Sequence, residues 1–502
     1  FVIATPLLRS CSRLTLAWPH SIVDLALAAC STFQIFPNAT WKNELSGEEF
    51  RKLERTWKNV ELLIVDEVSF IGQAFFARMH HRMQQGRRAY FSEAGLQEPQ
   101  HSFGNISIIL VGDFGQLEPI DDWSLCDYEA KYATCPAKQR HLWRHAQYGK
   151  TLLGTFKEAV MLEQIHRSKE DMWWTESCLR LRDFKMDYWD DYRKWYTHDL
   201  RHDGHFSKDQ KMYFENKAVW LCARTEDVGC RNGRKLAHMA LDKQMLIHQI
   251  LALHSNKSAR KQSTAAFDGL RPVINLVRGC KVMVNRNIAY LYGLANGTRG
   301  TMVGVVYESG AAMIANRPAP FPEAIIVDIP DYKGPAVYLE QPSWVPILPM
   351  TSRKEKTRLT RTQFPLVAGF ALTINKAQGL TMKEGVVIHL EGSRRFRPAS
   401  KHGLAFVAFT RSESFAMTAF KNLPPWSDFE KGQSSDLLRQ RLDFTRYLKD
   451  VLHRKTMACQ SSFKTDTAEQ VALEVWREAQ RKHARKDKEA HMTCPGCAAS
   501  AQ

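Results

Sequence analysis

Two apolar runs that each end in carboxylates constrain this chain more than any other feature. LLIVDEVS at Leu62 to Ser69 is four apolar residues closed by the adjacent pair Asp66 and Glu67. LVGDFGQLEP at Leu110 to Pro119, led in by ISII, repeats the design with Asp113 and Gln116. A short apolar run without alternation is the pattern of a parallel strand covered on both faces. Acids at the C-terminal end of such a strand suit a metal-nucleotide site, Asp66 holding Mg²⁺ and Glu67 polarising the attacking water. Gln116 then senses the γ-phosphate of ATP. The bland alternative is a pair of core strands whose acidic ends are incidental; two such strings in this order argue against it.

A site of this kind needs a glycine-rich loop, GxxxxGK[ST], ahead of the first acidic strand, because backbone N–H groups and the lysine neutralise the phosphates. No such string precedes Asp66, where Gly47 is the only glycine. Gly149-Lys150-Thr151 has the right ending, but Arg144 stands where the first glycine belongs and the string follows both acidic strands. We read it as a decoy. The chain opens on Phe1, so the expectation is a product truncated at its N-terminus that binds ATP poorly as it stands.

With 502 residues, 44% of them hydrophobic, there is room for two or three domains with real cores. Seventy Lys and Arg against 53 Asp and Glu leave a net charge of +17, which favours a polyanionic partner. Eleven cysteines scattered over so long a chain read as reduced thiols. No apolar run approaches the roughly 20 residues that span a bilayer, so a soluble protein with no membrane partner is expected. Arg9 and Arg13 in an acid-poor opening stretch give a faint likeness to a transit peptide.

Further along, MYFENKAVWLCART places a strand near Ala218 to Cys222, and apolar spacing from Thr225 to His254 is roughly helical. GCKVMVNRN reads as a strand, Asn296-Gly297 as a tight turn, and AIIVDIP and AVYLEQ as further strands between prolines. Gly297 to Arg358 is therefore read as a compact barrel-like insert. After it, the stretch from Thr373 to Thr381 reads as a polar loop. Its Thr373, Asn375, Lys376, Gln378, Gly379 and Thr381 offer hydroxyls, amides and N–H groups suited to a phosphate backbone. AFVAF reads as a strand that delivers Arg411 to its end, much as MLEQIHRS delivers Arg167. Two arginines so placed suit the stabilisation of charge on a γ-phosphate.

The ordered series LLIVDEVS, LVGDFGQLEP, MLEQIHRS, GCKVMVNRN, GLANGTRG, FALTINKAQGLT and AFVAFTRSE resembles the Pif-one-like DNA helicases of superfamily one, particularly the branch with the Helitron-transposon helicases. The likeness runs from about Ala28 to Ser414. It implies an α/β fold of two RecA-like domains, the second carrying an SH3-like insert, with ATP and Mg²⁺ as cofactors. On this reading 1–165 is the first domain, lacking its phosphate loop, 166–296 and 359–424 the second, 297–358 the insert and 425–502 a basic helical tail. Asp66, Glu67, Gln116, Arg167 and Arg411 match the family's catalytic positions, with Asp66 on the metal and Asp66, Gln116, Gly379 and Arg411 on the nucleotide. Thr373, Asn375, Lys376, Gln378 and Thr381 match its DNA motif. The implied activity is 5′ to 3′ translocation on single-stranded DNA and unwinding of duplexes. The implied partners are single-stranded DNA and DNA junctions. A monomer is expected, in the nucleus or alternatively the mitochondrion, with roles in DNA repair, recombination and telomere maintenance. Departures are the missing phosphate loop, Phe36-Pro37 where a glycine pair is usual, and Glu118-Pro119 for paired prolines.

Two alternatives stay open: a non-hydrolysing DNA-binding remnant of a transposon helicase, and an RNA-directed helicase. The aromatic stretch Met172 to Tyr196 reads as a helix packed on the second domain rather than a base-stacking platform. Thr467 to Ala490 reads as a solvated charged helix. His491, Cys494 and Cys497 in HxxCPGC supply only three ligands, too few for a closed zinc site.

Overall fold

In the computed structural model the two acid-ended runs lie side by side as parallel strands, Val65 opposite Leu110. The structure describes residues 2–4, 29–35, 41–42, 44–93, 95, 102–128, 135, 140–202, 205–308, 320–354, 357–393 and 396–461. The chain divides into two compact units, Phe1–Gln164 with Asp436–Gln502, and Ile165–Ser435. The α/β class read from the sequence is the class observed.

The first unit holds β1 (Val2–Ala4), β2 (Leu62–Val65), β3 (Ser107–Val111) and β4 (Glu158–Val160) in the order β2-β3-β1-β4. β1 runs antiparallel between β3 and β4, so the sheet is mixed. β2 was expected to be covered on both faces, and it is not. At the edge of the sheet among the described strands, it leaves Ile64 54% exposed, whereas Ile108 and Leu110 of the interior strand β3 are fully buried. The core gathers Trp57, Phe76, Met79, Met83, Phe103 and Phe156 around helix Gln73–Glu93.

The decoy string lies within helix Trp143–Leu153. A Cβ on Gly149 would stand 1.9 Å from the Gln73 carbonyl oxygen, so the glycine serves close helix packing. Lys150 donates to the Leu125 carbonyl at 2.8 Å. Residues assigned to a basic tail also join this unit: Leu448 and Leu452 enter the core, and Thr456 Oγ1 accepts from the Ala159 N–H at 3.1 Å. Thr467 to Ala490, and His491, Cys494 and Cys497, fall outside the described residues.

His80 gives this unit a measurable pH signature. Its Nδ1 accepts from the Phe103 N–H at 2.9 Å, so in the neutral ring Nε2 carries the proton, 3.0 Å from the Tyr148 hydroxyl. Burial, and then the neighbouring His81, lower its pKa to about 4. The unfolded chain takes up the proton near pH 6.5 and the folded chain only near 4. Stability is thus full above about 6.5 and falls by about 3 kcal/mol as pH drops to about 4. Urea denaturation across this range should show that slope, and His80→Asn, which keeps an acceptor without a titrating ring, should flatten it.

The second unit carries, in chain order, β5 (Val219–Cys222), β6 (His248–Leu251), β7 (Leu253–His254), β8 (Val273–Leu276), β9 (Lys281–Val284), β10 (Arg299–Val306), β11 (Ala324–Asp328), β12 (Trp344–Ile347), β13 (Met350–Arg353), β14 (Thr360–Gln363), β15 (Leu366–Ala368), β16 (Ala371–Thr373), β17 (Val386–His389) and β18 (Thr418–Phe420). β16-β5-β17-β18 form an all-parallel sheet. β12-β11-β10-β9-β15 form an antiparallel sheet that draws in strands from both sides of the 297–358 stretch. Two smaller sheets, β13-β14-β7 and β6-β8, complete the unit.

Three local expectations are corrected here. AFVAF is helical, Leu404–Phe409, and all six side chains are buried, so there was no alternation to separate strand from helix. The helical pattern from Thr225 ends at Asp242, and Ile250 belongs to β6. AVYLEQ forms no strand: Val337 and Leu339 are 56% and 90% exposed, and the pairing partner of β11 is β12 beyond Pro342. The aromatic stretch does pack as helix, with Trp174 and Trp195 fully buried. Among the described residues no helix is long and apolar enough to cross a membrane.

Candidate functional site

In the first unit, the parallel register of β2 and β3 releases Asp66-Glu67 and Gly112-Asp113 from the same edge of the sheet. Asp66 is exposed and accepts from the Glu67 N–H at 2.7 Å. Glu67 holds a left-handed backbone, φ +53°, an uncommon conformation for a side chain of this size. Gly112, at φ +148°, passes so close that a Cβ would lie 3.0 Å from the Val68 nitrogen. A tight turn follows, with Gln116 N–H donating to the Asp113 carbonyl at 3.0 Å and Asp113 Oδ1 accepting from Gly115 at 2.8 Å. It turns Gln116 Oε1 into a shielded position with no hydrogen-bond partner among the described residues. A buried acceptor left so is available to a ligand or a water.

No cluster of three or more ligating side chains stands among the described residues. Mg²⁺ keeps several waters and takes one or two carboxylates together with substrate phosphates, and the exposed Asp66 carboxylate beside Glu67 is a hard oxygen donor set that fits this.

In the second unit the structure brings together the other predicted residues from three distant stretches. Arg167 donates from Nε to Thr381 Oγ1 at 2.9 Å and from Nη1 to the Thr410 carbonyl at 2.9 Å. Arg411 is only 2% exposed. It donates to the carbonyls of Val407 at 2.8 Å, Leu380 at 3.0 Å and Ala377 at 3.4 Å, and to Thr410 Oγ1 at 2.9 Å. Its guanidinium thus ties the end of helix Leu404–Phe409 to the 373–381 segment. That segment is less of a loop than its composition suggested. Thr373 ends β16, one helical turn runs Ile374–Ala377 with both apolar ends buried, and Gly379 reverses the chain at φ +80°. Asn375, Lys376, Gly379 and Thr381 are exposed and Gln378 is half-buried. Burial of its stem, and then the charge of Arg271, lower the pKa of Lys376 although its surface stays open to solvent.

Asn232 holds the chain just ahead of this segment, and sequence reasoning missed it. Its amide donates to the carbonyls of Ala368 at 3.0 Å and Ala371 at 3.2 Å, and accepts from the Ala371 N–H at 2.9 Å. The signal was there: Asn232 falls on the buried stripe Val228, Asn232, Leu236, Ala240, and a polar residue at an apolar position has partners to hold. Asn232→Ala strands these groups, and chemical denaturation should show a loss of about 2–3 kcal/mol.

A cavity of about 630 Å³ opens at the C-terminal ends of β17 and β18, lined by Arg201, Glu391, Arg397, Asn422, Asp428 and Lys431. Its charges are paired among themselves or with Asp199 and His389. None of the predicted residues lines it.

The sequence pattern of the PIF1-like helicases matches residues 22–171. The ATP-dependent DNA helicase PIF1 of Rattus norvegicus is 24% identical over 365 residues, 71% of this chain and 46% of the relative. The human protein of the same name is 23% identical over 368 residues, 71% of this chain and 45% of its own length. The Pif1 helicase from Candida albicans shares the fold, with a TM-score of 0.56 at 21% identity over 80% of each chain. Residues 22–171 thus carry the PIF1-like helicase pattern, and the chain is similar to these helicases over most of its length. A PIF1-like fold is also shared with Pif1 from Bacteroides, solved in complex with ADP-AlF3 and single-stranded DNA, with a TM-score of 0.56 at 18% identity over 84% of this chain and 83% of that one. The chain spans about half the length of the curated relatives it matches.

Proposed function

We propose that the chain is the motor portion of an ATP-dependent DNA helicase that translocates 5′ to 3′ on single-stranded DNA and unwinds duplexes. The observation that carries this is the parallel pair β2 and β3, which releases Asp66, Glu67 and the Gln116 turn from one sheet edge. Asp66 would hold Mg²⁺, which supplies charge neutralisation on the phosphates. Glu67 orients and polarises the attacking water, and the Gln116 amide reads the γ-phosphate. Arg167 and Arg411 brace the 373–381 segment through Thr381, Thr410 and Leu380, so that a change at either arginine moves that segment. Lys376 and Asn375 on that segment meet the DNA phosphates, and Thr373, Gln378 and Thr381 complete the contact.

The Pif1 relatives support this reading, among them two coordinating Pif1 helicases solved for DNA unwinding at forked duplex DNA and Pif1 from Bacteroides solved with single-stranded DNA. A nuclear address, action as a monomer on DNA junctions, and roles in repair, recombination and telomere maintenance belong to the same proposal.

The test is ATP hydrolysis by the 502-residue chain with and without oligo-dT, alongside unwinding of duplexes with a 5′ or a 3′ single-stranded tail. DNA-stimulated turnover is expected only at high ATP concentration, as weak nucleotide binding without a phosphate loop requires, with unwinding from the 5′ tail alone. Salt-sensitive DNA binding without turnover would identify a binding remnant instead, and preference for RNA duplexes an RNA helicase.

A further inference from the structure

We propose that a second phosphate-binding surface lies on the small lobe built from β13-β14-β7 and the 255–271 segment, where it meets single-stranded DNA beyond the 373–381 segment. This rests on the helicase reading and extends its DNA contact. The lobe has its own anchor. Arg361 is fully buried on β14, donates to His254 Nε2 at 3.0 Å and to the carbonyls of Gln262 and Leu270 at 2.9 Å each, and lies 4.5 Å over the Phe267 ring. Lys354 donates to Gln262 Oε1 at 2.7 Å, closing the segment onto the sheet.

What the lobe presents outward is basic. Lys257, Arg260, Lys261, Arg271, Arg353 and Arg358 are all exposed. None of the six forms an ion pair with a carboxylate among the described residues. The nearby carboxylate of Asp268 is already engaged, accepting from Ser352 Oγ at 2.6 Å and facing Arg286 at 3.4 Å. Like charges held together at a surface raise the local potential and are relieved by a polyanion that releases its own counterions on binding. The charge of Arg271 is felt at Lys376 of the candidate DNA segment, where it helps to lower that lysine's pKa. A single strand with its repeating phosphates suits six exposed cations spread over several elements of the lobe better than a compact anion does.

The experiment is acetylation footprinting of the full chain, read by mass spectrometry, with and without oligo-dT. Lys257, Lys261 and Lys376 are expected to be protected together. The triple variant Lys257→Gln, Arg260→Gln, Lys261→Gln should lower the slope of log K against log salt by about two, since each phosphate contact on a single strand contributes about 0.7. These side chains are exposed, so the variant keeps its fold. Protection of Lys376 alone overturns the second surface and leaves the helicase reading intact. Protection of Lys257 and Lys261 without Lys376 upholds the surface and counts against that reading. Protection of no lysine overturns both, and equal protection by poly-glutamate at the same charge overturns the assignment to a nucleic-acid strand.

Discussion

Glu67→Gln is expected to lower DNA-stimulated ATP hydrolysis by about 10²–10⁴-fold relative to the unaltered chain, with affinity for single-stranded DNA unchanged. Glutamine keeps the length and the hydrogen-bonding ends of the side chain but cannot take a proton from water. Steady-state hydrolysis and oligo-dT titrations on both proteins check this. A second substitution separates chemistry from strain. Glu67 sits at φ +53°, where a side chain is disfavoured and glycine is not. Glu67→Gly should therefore raise stability by up to about 1 kcal/mol while removing turnover as completely as Gln. Such an opposition, less function with more stability, is the mark of a conformation kept for use. Equal turnover in the Gln variant and the unaltered chain would remove Glu67 from the chemistry.

Arg411→Ala is expected to destabilise the second unit by about 3–5 kcal/mol, among the largest single effects in the chain. The buried guanidinium serves carbonyls of Val407, Leu380 and Ala377 at once, and alanine leaves them unpaired away from water. Arg411→Lys should recover only part, since a single ammonium cannot reach three carbonyls in the plane of a guanidinium fork. Urea denaturation gives the size. Hydrogen exchange gives the place, with amides near Ala377 to Met382 losing protection first. A loss of turnover with stability unchanged would assign Arg411 to the nucleotide alone; loss of both supports a group that couples the two segments.

How much of this was legible in the residues depends on how local each feature is. The four apolar residues before Asp66 and the four before Gly112 declared their strands. Their acids marked the edge where the chemistry would sit, because a side chain at a strand end is placed by the strand itself. The Asn296-Gly297 turn and β9 were equally plain, with Gly297 at φ +101°. AFVAF was not, since a run buried on every side carries no period. AVYLEQ failed for the opposite reason: apolar residues stand exposed between prolines, and whether a stretch pairs depends on a partner strand elsewhere.

The site divides in the same way. Asp66, Glu67, Gln116, Arg167 and Arg411 were named from spacing and order. The role of Asn232 and the close approach that requires Gly112 were not, because both arise from contacts with backbone far along the chain.

Local pattern by itself thus determined the α/β class, the acid-bearing strands and the residue types of the candidate chemistry, since strand periodicity and carboxylate chemistry are properties of a few neighbouring residues. Tertiary structure alone decided that β2 lies at an edge among the described strands, that Gly149-Lys150-Thr151 is helix with Gly149 buried, and that Arg411 holds carbonyls of two separate segments. Each depends on which surfaces meet across long loops, and burial acquires its energy only when distant parts of the chain close on one another.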